Sequence, residues 1–61
     1  MANLSAKELT ALSDQLNFER VICAKYQAAV QECEDAQLKT RYQQYADQHR
    51  QNFNCLLGYL Q

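Results

Sequence analysis

The sequence predicts an all-α chain, an antiparallel two-helix hairpin that needs a further helical surface to be stable. Three observations predict it. The 61 residues include no proline and one glycine, which suits long helices rather than sheet and turns. Two apolar seams step alternately by three and four residues, the spacing of one face of a helix. When the chain is folded at Asp35, those seams meet layer for layer.

The first helix is expected over about 6–33. Ser5-Ala6-Lys7-Glu8 has the form of a capping box, in which the Ser5 hydroxyl accepts from the Glu8 amide and Glu8 reaches back. Its seam runs Leu9, Leu12, Leu16, Glu19, Cys23, Tyr26, Val30, Cys33, and a second stripe of Phe18, Val21, Ile22, Ala28 and Ala29 widens the apolar face. A two-stranded seam does not need that width, whereas a helix packed on two or three neighbours does.

The break is expected at Glu34-Asp35-Ala36, with Asp35 as N-cap of a second helix over about 36–59. That helix carries Leu38, Tyr42, Tyr45, His49, Asn52, Leu56 and Tyr59 on its seam, flanked by Ala46, Phe53, Leu57 and Leu60. Gly58 weakens its last turn. A short turn forces antiparallel packing. The register then pairs Cys33 with Leu38, Val30 with Tyr42, Tyr26 with Tyr45, Cys23 with His49, Glu19 with Asn52 and Leu16 with Leu56. Residues 1–61 form a single domain on this reading, and so small a unit buries too little surface by itself. Association with other helices is the expected remedy.

Six basic and seven acidic residues are spread along the chain. Without a basic stripe, no nucleic-acid footprint is expected. Apolar runs are too short for a membrane span, and Met1-Ala2-Asn3-Leu4-Ser5 lacks the pattern of a signal peptide. A soluble cytoplasmic protein is the expectation. Cys23, Cys33 and Cys55 have no metal-knuckle spacing. They read either as reduced, half-buried small apolar residues or as cross-links between chains of an assembly.

The register brings Glu19, Cys23, His49 and Asn52 into adjacent central layers. A carboxylate on a core seam is costly unless it is paired, hydrogen-bonded or metal-bound. On a structural reading Glu19 pairs with His49, Asn52 satisfies the remaining groups, and the layer fixes register and partner. On a functional reading Glu19 and His49, with or without Cys23, hold zinc, iron or manganese, with a dimer doubling the set. Di-iron bundles use four carboxylates and two histidines, with Glu-x-x-His on two helices. Here Ala46 stands three residues before His49 and Asp47 falls on the outer face, so any such site is a reduced one. Phosphate loops and nucleophile triads are absent from the sequence pattern, and no catalytic residue is assigned.

The string Leu9-Thr10-Ala11-Leu12-Ser13-Asp14-Gln15-Leu16-Asn17-Phe18-Glu19 resembles the opening of spore coat protein F-like (CotF-like) domains, with their L-x-D-Q-L-x-x-E helix and following K-Y pair, here Lys25-Tyr26. Asp35-Ala36-Gln37-Leu38-Lys39 is similar to that family's D-P-x-L-K helix start, with Ala36 in the place of proline. Ala46-Asp47-Gln48-His49-Arg50-Gln51-Asn52-Phe53-Asn54-Cys55-Leu56-Leu57 resembles its A-x-x-H-x-x-H/N-[YF]-x-x-L-L signature. The resemblance implies a ferritin-like helical fold, a spore-forming bacterium as source, a role among coat components, and Glu19 and His49 as remnants of metal-ligand positions. It also implies that the chain is half of a four-helix bundle completed by dimerisation.

The expected function is therefore that of a small structural protein, cytoplasmic or in the spore coat. It forms a homodimeric four-helix bundle without catalytic activity or cofactor, with other coat proteins as further partners. The alternatives are a metal-binding or redox protein using Glu19 and His49 from both subunits, and a hairpin that docks on a larger coat protein.

Overall fold

A computed structural model describes residues 3–61. Met1 and Ala2, where the expected domain and the segment tested for a signal peptide begin, lie outside the described residues. Two helices, α1 (Ala6–Glu32) and α2 (Ala36–Leu57), fold back on each other, and a single 3₁₀ turn (Gly58–Leu60) follows. Strands are absent among the described residues, so the chain is an all-helical hairpin. It measures 45 × 15 × 11 Å, one helix length by two helix diameters.

Local chemistry fixes each end. The Ser5 hydroxyl accepts from the Glu8 amide at 3.1 Å, and the Glu8 carboxylate accepts from the Ser5 amide at 2.9 Å. Two of the donors that a helix start leaves free are thereby satisfied. The Ser5 amide first, and the Ser5 hydroxyl after it, hold the Glu8 carboxyl below its usual value. At the turn, Cys33 adopts an extended backbone and ends α1. Two residues on, the Asp35 carboxylate accepts from the Leu38 amide at 2.8 Å and starts α2. Asp35→Ala should lower stability by about 1 kcal/mol. Thermal unfolding followed by circular dichroism checks this, and an unchanged midpoint would show that Asp35 does not set the start of α2.

The core is narrow. Val30, Ala46 and the carboxylate Glu19 are the buried residues among those described. Ala46, which the seam pattern assigns to a flanking stripe, is the most enclosed of them at 1% exposure. Its backbone carbonyl accepts from the Cys23 thiol at 3.3 Å, which places the two helices in close approach. Tyr26 centres on Tyr45, with Tyr42 and His49 on either side, and Glu19 reaches both His49 and Asn52, so the layers fall as the register pairs them. A seam fixes which face turns inward, and a small side chain decides where the backbones touch. Ala46→Leu should cost about 2 kcal/mol by forcing the helices apart, and chemical denaturation measures it. A variant as stable as the wild type would mean that the approach at Ala46 is loose.

Several expected seam residues stay open, among them Leu9, Leu38 and Tyr45. The expected second stripes are also split. At about 100° per residue, Phe18 and Ile22 fall on one side of the α1–α2 seam with Gln15. Cys23 and Arg20 fall on the other side, where they share a groove with Arg50 and Phe53. Phe18/Ile22 and Phe53/Leu57 thus flank opposite sides of the hairpin rather than forming one face.

Candidate functional site

Glu19 is the centre of the one buried polar cluster among the described residues, with 5% of its surface exposed. It stands at mid-length of α1, on the face turned to α2, because the seam continues through it in steps of three and four. His49 Nδ1 donates to Glu19 Oε2 at 2.5 Å. Asn52 Nδ2, one turn further along α2, donates to the same oxygen at a longer 3.4 Å. Gln15 Nε2, one turn before on α1, donates to Oε1 at 3.1 Å. Both carboxylate oxygens are therefore occupied, and every buried side-chain nitrogen and oxygen among the described residues has a partner.

His49 is held from its flat face as well. Its ring lies against that of Tyr26, with centroids 5.8 Å apart and planes 13° from parallel. Tyr26 in turn contacts the rings of Tyr42 and Tyr45 at 5.8 and 5.3 Å, spacings typical of attractive aromatic pairs. The imidazole is clamped between a carboxylate and an aromatic column.

The hydrogen bond from His49 is the largest influence on Glu19 and holds its carboxyl below the ordinary value of 4.5. Burial opposes it, and the Gln15 and Asn52 amides add to it. A depressed folded-state value means that ionised Glu19 stabilises the fold. Its contribution is complete above the unfolded value and is lost as pH falls through the folded one. Glu19→Gln should therefore flatten the acid limb of the stability profile below about pH 4.5. Denaturant midpoints for both proteins across that range check the point, and parallel limbs would refute it.

The structure brings Glu19, His49 and Asn52 together as the register predicts. Cys23 stands one turn along α1 from Glu19 and lines the same groove, its thiol engaged by the Ala46 carbonyl. No group of three or more His, Cys, Asp or Glu is placed to hold a metal ion among the described residues. A cation at this position would find Glu19 and His49 as ligands from one hairpin, and would have to displace the bond between them. Gln15 and Tyr26 are members of the cluster that sequence reasoning did not select as site residues. The signal for Gln15 was its place four residues before Glu19, which is one helical turn. For Tyr26 the signal was its seam position beside His49.

Two grooves reach Glu19 from opposite sides of the seam. One is lined by Glu19, Arg20, Cys23, Ala24, Gln27, Arg50 and Phe53. The other is lined by Gln15, Glu19, Asn52, Cys55 and Leu56. The two arginines are engaged locally: Arg20 donates to Asn17 at 2.7 Å and Arg50 lies 3.5 Å from Asp47. The geometry is that of a polar layer with its bonds made, built round a carboxylate–imidazole pair.

No described helix is long and apolar enough to cross a membrane. No protein-family model, curated protein or solved structure matches the chain.

Proposed function

We propose that this chain is a structural assembly protein whose hairpins pair into a homodimeric four-helix bundle without catalytic activity. The observation that carries the reading is the apolar surface one hairpin leaves open. Leu9, Phe18, Val21, Leu38, Tyr45, Tyr59 and Leu60 are exposed in the single chain, Phe18 by 54% and Tyr59 by 53%. Large apolar side chains left open in this number on so small a chain mark an association site. The satisfied state of Glu19 adds to it, because a polar layer with all its bonds made sets alignment rather than chemistry. The resemblance of the Leu9–Glu19, Lys25-Tyr26, Asp35–Lys39 and Ala46–Leu57 segments to CotF-like domains gives the reading its setting: a ferritin-like plan and a place in the spore coat, with other coat proteins as further partners.

The direct contact between Glu19 and His49 favours a second reading, in which the pair from each of two subunits binds zinc, iron or manganese. Elemental analysis of chain purified without chelator separates the two. The structural reading expects no stoichiometric metal and a melting temperature that rises with chain concentration. Near-stoichiometric metal, lost in Glu19→Leu, would overturn it in favour of the metal site.

A further inference from the structure

We propose that a second copy of this chain covers the side of the hairpin bearing Phe18, Ile22 and Tyr45, through a two-fold axis perpendicular to the helices. Ile22 then meets its own counterpart. This rests on the dimeric reading above and adds which surface pairs and in which direction.

The area is the first support. The chain exposes 4816 Å², whereas a compact monomer of 7.1 kDa exposes about 4,100 Å² by the scaling of surface with mass. The difference is roughly 700 Å², close to the area of about 800 Å² that each partner contributes to a standard interface. One further copy is therefore enough to bring the chain to ordinary burial.

The second support is where the open apolar residues lie. At about 100° per residue, Phe18, Leu38, Tyr45 and Tyr59 project to the side of the seam that carries Gln15 and Asn52, and Val21 points away from α2. Leu9 projects to the opposite side, with Cys23 and Phe53. The large exposed side chains are concentrated on the first side.

The third support is that this side is self-complementary about one layer. Inverting α1 about Ile22 places Ile22 on Ile22, Gln15 on Ala29 and Ala11 on Cys33. Phe18 then falls at the level of Tyr26 of the second copy, with Ile22 and Ala29 one turn to either side. Inverting α2 about the neighbouring layer between Gln48 and His49 places Tyr45 on Asn52 and Leu38 on Tyr59. The two centres fall at the same height in the hairpin, as an isologous interface requires.

Charge selects the axis. Glu32, Glu34 and Asp35 are exposed together at the turn. An axis along the helices would place both acidic turns at the same end of the bundle. The perpendicular axis sends them to opposite ends of a 45 Å body, several times the screening length of about 8 Å at physiological salt.

Light scattering on the wild type, Phe18→Glu and Leu9→Glu tests the side, and Ile22→Cys tests the axis. The expected results are a dimeric wild type, a halved mass for Phe18→Glu and an unchanged mass for Leu9→Glu. In Ile22→Cys, mild oxidation should give a disulfide between the two introduced thiols, identified by peptide mass spectrometry. A dimeric Phe18→Glu without that disulfide in Ile22→Cys would overturn the proposal while leaving the dimer intact. If Phe18→Glu is instead unfolded by circular dichroism, the disulfide decides: its presence supports the pairing, and its absence from a dimeric protein refutes it. A monomeric wild type would defeat the dimeric reading itself, and this inference with it.

Discussion

Phe53→Asp should leave the chain largely unfolded, with a stability loss of about 3 kcal/mol or more. Phe53 is half-buried on α2 and shares a groove with Glu19 and Cys23 of α1. The substitution removes an aromatic ring from the contact between the helices. It also places a second carboxylate beside Glu19, whose hydrogen-bond partner across the seam is His49. Like charges in a partly buried site repel, and neither can be relieved without opening the seam. A domain of this size has a margin of only about 3–5 kcal/mol, so the loss is comparable with the whole stability of the hairpin. Far-ultraviolet circular dichroism at neutral pH reads the outcome directly. A Phe53→Asp protein with the helicity and cooperative melt of the wild type would show that the α1–α2 contact is not what holds the hairpin closed.

Glu19→Ala is the second substitution with a large expected effect, about 2 kcal/mol. Removing the carboxylate leaves His49 Nδ1 and the amides of Gln15 and Asn52 without their acceptor. Leaving donors unpaired in a partly buried layer costs more than the bonds themselves contribute when made. The figure stays below that for a fully buried ion pair because a quarter of the His49 side chain is exposed, which lets water reach the imidazole. Glu19→Leu tests the other side of the argument: an apolar group of similar length fills the layer, and part of the loss should be recovered. Equilibrium denaturation of both variants gives the comparison. Equal stabilities for Glu19→Ala and the wild type would mean that the polar layer contributes nothing to closing the hairpin.

Much of this architecture was legible because it is local. The Ser5–Glu8 box and the Asp35 cap are bonds between residues three apart, so the sequence alone places them. The partnership of Glu19 with His49 and Asn52 was legible for a different reason: a carboxylate on an apolar seam demands donors, and the antiparallel register supplies them. The point of closest approach was less accessible. Ala46 was expected on a flank and is instead the most enclosed residue, because the closest approach follows the smallest side chain, and an alanine looks the same on a flank as in a contact. The fate of Leu9, Leu38 and Tyr45 was hidden for a related reason. A heptad seam says that a side chain favours burial, not against which surface, and two helices can enclose only a thin strip between them. Those residues remain open in the single chain, and the proposed pairing of hairpins is built on them.

The measurement that tests this account most directly is the molar mass of the untagged chain in solution, by light scattering at neutral pH. A helical protein with twice the 7.1 kDa chain mass is the predicted result. A helical, cooperatively folding monomer would contradict the account, because the apolar side chains it leaves exposed would then need no partner.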